Sequence, residues 1–190
     1  MRPAALAFVL MVLANMAIGQ NSNMPQTLTS IGAGPFEFPI SGTFNVSREQ
    51  GSTVFRSLGG RREIRVDFFR NLAVSKTPEQ IAKVQTLVKG NWERFANQEK
   101  MEIVRPFRRW DQSPGLALFG MASQHVQPGG PQHYVQFAVT DGSQMASLIV
   151  EGIGPAEPIA SELEALVLQV KVVEASNSSL QRDAPPAARP

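Results

Sequence analysis

The amino-acid sequence predicts an α+β fold in which a largely antiparallel sheet is covered by two amphipathic helices, as in an α/β/α sandwich. Three observations support this class. Strand-like segments follow one another with short turns between them. Two longer segments, one central and one near the end of the chain, carry apolar residues at the spacing of a helix face. Sheets and helices that are apolar on one side must bury that side against each other.

Composition divides the chain into four segments. Residues 1–19 read MRPAALAFVLMVLANMAIG, an early arginine, an apolar run and small residues, which is the pattern of a cleavable secretory signal peptide. The run is shorter than the ~20 apolar residues of a membrane-spanning helix, so we expect no span in the mature chain. We expect a flexible leader over residues 20–34, one domain over residues 35–174 and a disordered tail over residues 175–190. The predicted destination is the periplasm or the outside of the cell.

The first half of the domain has three predicted strands, which we expect to pair as an antiparallel meander. They cover Thr43–Ser47, Ser52–Leu58 and Glu63–Phe69. In the last of these, every second residue is apolar and the residues between are charged. Such alternation predicts that one face of the sheet is buried and the other is in water.

The central helix is predicted to begin after Thr77. This threonine is a suitable N-cap, Pro78 a favoured first helical residue, and Gln80 the partner that completes a capping box. Apolar residues then recur on one face as far as Phe95. Within that face, Trp92 and Phe95 are predicted to anchor the core.

The second half returns to strands and ends in a helix. The predicted strands are Met101–Arg109, Leu116–Val126, Gln132–Thr140 and Met145–Ile153, and the helix runs from about Pro155 to Val173. Pro106 predicts that the first of these strands lies at a sheet edge or at a bulge, because proline cannot donate a ladder hydrogen bond. The two helices are expected either on opposite faces of the sheet or side by side on one face.

This order of elements resembles the PsbP-like superfamily, which includes photosystem accessory proteins and the exported bacterial proteins of the DcrB type. Residues 77–95 look like the family's central helix, residues 101–126 and 132–153 like its strand meander, and residues 152–173 like its closing strand-to-helix segment. Residues 36–39 depart from the family's aromatic opening. The family shares no catalytic residues, so the resemblance implies an accessory or binding role.

Composition excludes several classes of site. The chain has no cysteine, which excludes a disulfide framework, a thiolate metal site and a thiol nucleophile. It has 18 basic and 16 acidic residues, and the predicted cleavage removes one arginine and no acid. A chain so close to neutrality has no global field to attract a polyanion, so we predict no nucleic-acid partner.

The two histidines of the chain, His125 and His133, bracket a predicted hairpin turn over residues 127–131. A five-residue loop would place them directly opposite each other, with Cβ atoms roughly 4.5–5.5 Å apart. Such a pair could hold zinc or copper, with Met121 on the same face as a soft third ligand. A slip of one residue in the register would instead place the two rings on opposite faces.

A second candidate surface is basic and aromatic and consists of Arg105, Arg108, Arg109 and Trp110. Arginine and tryptophan are enriched at binding hot spots, and Pro106 predicts an exposed edge there. The alternatives are that Trp110 folds back into the core and that the arginines form a solvated strand face.

Motifs of common enzyme sites are missing from the sequence, including the G-x-S-x-G elbow, the Walker loop and H-E-x-x-H. Residues 152–154 read Gly-Ile-Gly between a strand and a helix, but Glu157 stands where a dinucleotide turn has its third glycine. Pairs of carboxylates that meet only in the fold stay open. We therefore expect an exported, non-catalytic binding or accessory protein that recognises a protein or envelope component. The alternatives are a small metal-binding protein and a hydrolase with an unrecognised site.

Overall fold

A computed structural model describes residues 25–72, 76–112 and 115–173. These residues form an eight-stranded sheet, a three-stranded sheet and two helices. The predicted α+β class and the largely antiparallel sheet are confirmed. The predicted signal peptide, residues 1–19, and the predicted tail, residues 175–190, lie outside the described residues.

All strand pairings in the described residues are antiparallel. In chain order the strands are β1 Gln26–Leu28, β2 Ile31–Ala33, β3 Phe36–Phe38, β4 Gly42–Glu49, β5 Ser52–Ser57, β6 Arg62–Phe69, β7 Glu102–Asp111, β8 Ala117–Gln127, β9 Gly130–Thr140, β10 Met145–Ile153 and β11 Lys171–Val172. The large sheet has the order β1-β4-β5-β6-β10-β9-β8-β7, and the small sheet has the order β11-β3-β2.

The N-terminal strands correct one prediction. The flexible leader expected over residues 20–34 is wrong for its second part, because β1 pairs with β4 and β2 pairs with β3. Ile31 and Ala33 of β2 are both buried while Gly32 between them is exposed. This alternation buries enough apolar surface to order a segment whose composition is otherwise that of a loop.

The helices cover opposite faces of the large sheet. Helix α1, Pro78–Gln98, begins as predicted, and the hydroxyl of Thr77 accepts a hydrogen bond from the Gln80 backbone N–H at 3.3 Å. Its apolar face, with Trp92 buried, packs on β7, β8 and β9. Helix α2, Ala156–Val167, packs on the other face together with the small sheet. It ends before the predicted Val173, because the chain turns after Leu168 and continues into β11.

Cover is therefore uneven. On the α2 side, buried residues extend across the sheet from β4 to β8. On the α1 side, the helix covers only the β7–β9 half, and within the described residues no helix lies over β10, β6, β5 and β4. Neither α1 nor α2 is both long and apolar enough to cross a membrane.

Strand β7 lies at the edge of the large sheet, as Pro106 predicted. Its register against β8 shifts twice, between Ile103 and Arg105 and between Arg105 and Arg108. Bulges of this kind blunt an edge against pairing with another chain.

Candidate functional site

The predicted opposition of the two histidines is wrong. A two-residue turn, 128–129, joins β8 to β9 in place of the expected five-residue loop. The register therefore pairs His125 with Gln132 and Gln124 with His133. Because side chains alternate between faces along each strand, changing an odd loop to an even one places the two rings on opposite faces of the sheet.

His133 has a structural environment on the α2 side. The residue is 2% exposed, and its Nδ1 lies 3.2 Å from the carbonyl oxygen of Gly154 in the connection between β10 and α2. Its Nε2 has no hydrogen-bond partner within the described residues. Burial lowers the pKa of His133, and the hydrogen bond to Gly154 only partly offsets that effect. The ring is therefore neutral at neutral pH.

The metal hypothesis loses the geometry on which it was built. His125 lies half-buried on the α1 side, and Met121 shares its face but is buried under α1. Within the described residues, no group of three or more histidine, aspartate or glutamate side chains is placed to hold a metal ion. The binding of zinc or copper by His125 and His133 stays a prediction, but the cross-strand pair on which it was based does not form.

The predicted basic and aromatic surface is divided between the two faces. Arg105 forms ion pairs with Glu157 and Glu164 of α2, at 2.6 and 2.7 Å. Trp110 is half-buried, with its ring centroid 6.5 Å from that of Phe137. Both side chains thus connect β7 to the α2 layer, and Trp110 is neither fully accessible nor fully buried.

The other two arginines of that segment are exposed. Arg109 reaches the α1 side, where it donates to Gln85 at 2.8 Å and pairs with Asp111 at 2.6 Å. Arg108 lies on the α2 side, because it pairs with Gly120 of β8. The four residues do not share one surface, so their role in partner contact stays a prediction.

Sequence reasoning missed a row of polar side chains on the α1 side. The register places Arg56, Glu63, Glu151 and Tyr134 next to one another on β5, β6, β10 and β9. Alternation predicts only that Glu63 points away from the α2-side core. Its juxtaposition with Glu151 depends on the pairing of two strands that are far apart in sequence, so no local signal could have revealed it.

Ion pairs hold the β4–β6 part of this row. Both guanidinium Nη atoms of Arg56 bond the carboxylate of Glu49, at 2.6 and 2.9 Å, and its Nε bonds Glu63 at 2.9 Å. The hydrogen bonds from Arg56, and then from Ser47, lower the pKa of Glu49 to about 2. Arg65 adds a contact to Glu63 at 3.1 Å. The carboxylates of Glu49 and Glu63 are thus paired, whereas the buried Nε of Arg65 has no hydrogen-bond partner within the described residues.

The β9–β10 part of the row borders a groove of about 240 Å³, which we call the tyrosine groove. It is lined by Phe95, Glu99, His125, Tyr134 and Glu151 among others. Tyr134 and Glu151 are cross-strand partners on β9 and β10, and burial raises the pKa of both groups. A raised phenol pKa keeps Tyr134 protonated at neutral pH, so it acts as a hydrogen-bond donor and is a poor nucleophile.

Two larger clefts lie beside the tyrosine groove. One, of about 290 Å³, shares Glu151 and Gln132 with it and reaches Arg61. The other, of about 470 Å³, also contains Arg61 and lies between α2 and the start of β4. Its lining combines the apolar Ile40 and Phe44 with charged side chains. The three depressions are thus contiguous through shared residues.

All three depressions meet at one end of the large sheet. The register brings three connections to that end: the β5–β6 turn, residues 57–62, the β8–β9 turn, residues 126–131, and the β10–α2 connection, residues 152–156. We call this region the open end.

The chain matches no protein-family model and no curated protein.

Proposed function

We propose that this chain is an exported, non-catalytic binding domain that recognises a protein or envelope component through the open end of its sheet. The observation that carries the proposal is the meeting of three depressions, of about 470, 290 and 240 Å³, at that end. Binding sites are concave and combine apolar lining with a few placed polar groups. The apolar floor around Phe44 and the polar groups of Arg61 and Tyr134 match that description.

Arg61 is the most informative residue of this surface. It is exposed, and it lines both of the larger clefts. The ion pairs among the described residues take up its neighbour Arg62, at 3.3 Å from Glu162, and do not include Arg61. An arginine left in water by its own fold can form ion pairs with a partner at little desolvation cost.

The test is a matched pair of charge reversals. Arg61→Glu changes the open end, and Lys83→Glu makes the same kind of change on the exposed outer side of α1. Retention of the tagged protein on the envelope fraction of its source is measured for both. We expect Arg61→Glu to weaken retention and Lys83→Glu to leave it unchanged. Equal retention of both variants would contradict a role for the open end.

Export has its own test. The pattern of residues 1–19 supports it. Sequencing of the N-terminus of the protein recovered from its source is expected to give Gln20 or a near neighbour. Recovery with Met1 and the apolar run in place would remove export from the proposal.

Hydrolysis is the second candidate, favoured by one observation. The tyrosine groove holds a carboxyl group of raised pKa, Glu151, together with His125. A carboxyl group of raised pKa is suited to general acid catalysis. A panel of ester, glycoside and peptide substrates tests this candidate, and it requires that Glu151→Gln abolish any activity found.

A further inference from the structure

Three large apolar side chains are exposed at the open end, one in the β5–β6 turn and two near the last residues of β8 and β10. Val126 is 77% exposed, Ile153 is 74% exposed and Leu58 is 58% exposed, the highest values among the large hydrophobic residues described. Side chains of this kind are normally single and scattered on a protein surface. Here the three most exposed ones lie at the same end of one sheet.

The topology places the three side chains at one end of the sheet, and the register places Val126 and Ile153 on opposite faces of that end, because Val126 pairs with Pro131 and Ile153 pairs with Gln132. Arg62, at the start of β6, pairs with Gly152 near the end of β10, and Gln132 on β9 pairs with Ile153. The same end of the sheet therefore carries the β5–β6 turn, the end of β10 and the β8–β9 turn. Leu58 follows β5 and Val126 lies near the end of β8, four positions away in the sheet order, so they are on the order of 20 Å apart.

The charge of these loops has one sign. Residues 57–62 read SLGGRR, residues 126–131 read VQPGGP and residues 152–156 read GIGPA, so they contain two arginines and no acid. The neighbouring acids Glu162, Glu63 and Glu157 are paired with Arg62, Arg56 and Arg105, and Glu151 lines the cleft that Arg61 also lines. This leaves Arg61 as the cation beside the apolar tips.

We propose that the open end binds the surface of a lipid bilayer with anionic headgroups, by inserting Leu58, Val126 and Ile153 into its interfacial layer. This deepens the proposed function, on which it rests, by naming the envelope component. Interfacial binding grows with the apolar area that is buried and with attraction between basic side chains and anionic lipids. Arg61 lies where a lipid phosphate would meet the loops.

The separation of the tips favours a bilayer over a protein partner. A rigid protein would need three matching pockets spread over this distance. Glycines and polar residues lie between the tips, so the tips form no continuous apolar patch of the kind that marks a protein interface. A fluid bilayer surface accommodates separate insertions wherever they fall.

The first experiment uses the absence of cysteine from the chain. Single cysteines at Val126→Cys, Ile153→Cys and Leu87→Cys are labelled with an environment-sensitive fluorophore. Leu87 is the matched control, because it is 48% exposed on the outer side of α1. Vesicles contain phosphatidylcholine, alone or with an equal part of phosphatidylglycerol. The full chain is used. Because residues 1–19 could themselves anchor the protein, the emission change is compared between label positions, and total binding is not the readout.

We expect blue-shifted and brighter emission at positions 126 and 153 with the anionic vesicles, a smaller change with the neutral ones, and no change at position 87. Unlabelled variants measure how much the exposed apolar side chains contribute to vesicle partitioning. Val126→Ser combined with Ile153→Ser should lower vesicle partitioning on the order of tenfold or more, since each change removes an inserted aliphatic side chain. Leu87→Ser should not lower it. Thermal unfolding of each variant verifies that these exposed substitutions leave the fold intact.

Labels at 126 and 153 that respond no more than the label at 87 would overturn the lipid proposal. In that case, envelope retention separates the two levels of inference. If Val126→Ser with Ile153→Ser still weakens retention, the open end binds a protein and the proposed function stands. If that variant and Arg61→Glu both leave retention unchanged, the proposed function fails as well.

Discussion

The two ends of the large sheet differ in how far contacts within the chain cover and hold their connections. At one end, residues 141–144 join β9 to β10, and we call this the closed end. There Oδ1 of Asp141 accepts hydrogen bonds from the Ser143 backbone and hydroxyl, at 2.9 and 2.8 Å, and from the Gln144 backbone at 2.9 Å. Its Oδ2 pairs with Lys76 at 2.7 Å. At the open end, Val126 and Ile153 are in solvent.

The difference separates side chains that stabilise the fold from side chains that are exposed and available to a partner. The closed end meets its polar requirements from within the chain, and even Gly142 is buried against Ile81. The open end leaves an arginine without an ion pair among the described residues and leaves apolar tips without cover. Substitutions at the closed end should therefore change folding, whereas exposed substitutions at the open end should change binding.

The largest expected effect is at the closed end. Burial alone would raise the pKa of Asp141, but hydrogen bonds from Lys76, Gln144 and Ser143 keep it below its usual value. Asp141→Ala removes the acceptor of these bonds and should cost about 2–4 kcal/mol in the free energy of unfolding, measured in urea. Vesicle binding should not change.

Asp141→Asn is the control for that prediction. The amide oxygen of asparagine can still accept the backbone hydrogen bonds of the turn, so most of the lost stability should return. A loss as large as that of alanine would show that the ion pair with Lys76, and not the turn, holds the closed end together.

Features that depend on neighbouring residues were predicted from the sequence, whereas features that depend on residues far apart in the chain were not. The start of α1 at Thr77 and the edge position conferred by Pro106 follow from local rules, and both were predicted correctly. The burial of Ile31 was missed because the polar residues around it dominate the composition of that segment. The relation of His125 to His133 depended on the length of one turn, and a change from five residues to two inverted it. The row that joins Glu63 to Glu151 needed the order of strands in the sheet, which no local pattern contains.

A steric substitution tests the open end next. A Cβ atom at Gly152 would lie 2.4 Å from the carbonyl oxygen of Arg61 and 2.9 Å from the ring of His133. Gly152→Ala should therefore cost about 1–3 kcal/mol in unfolding free energy, because the turn must shift to admit the methyl group. Gly59→Ala is the matched control, since its Cβ would meet nothing within 4 Å. A neutral Gly152→Ala would mean that the β5–β6 turn is looser than its contacts indicate.

A smaller effect concerns pH. The pKa of His133 in the folded protein is lowered, chiefly by burial, below the usual value of 6.5. The unfolded chain therefore binds a proton that the folded protein does not, and stability should fall as the pH drops below about 6.5 towards the folded pKa. Unfolding midpoints at several pH values from neutral downward measure this. His133→Gln should flatten that part of the profile, and an unchanged profile would assign the pH dependence to other groups.

The smallest effect is expected from the ion pairs on the uncovered half of the α1 side. Glu49 has its pKa lowered from 4.5 to about 2, first by the hydrogen bond from Arg56. Its contribution is present above pH 4.5 and is lost as the pH falls through this range towards 2. Both side chains are more than a third exposed, so solvent screening reduces the pair to less than about 1 kcal/mol. Glu49→Gln should thus lower the urea midpoint only slightly at neutral pH, and the difference from wild type should vanish near pH 2. A loss comparable to that of Asp141→Ala would show that this exposed row supports the fold as strongly as the closed end does.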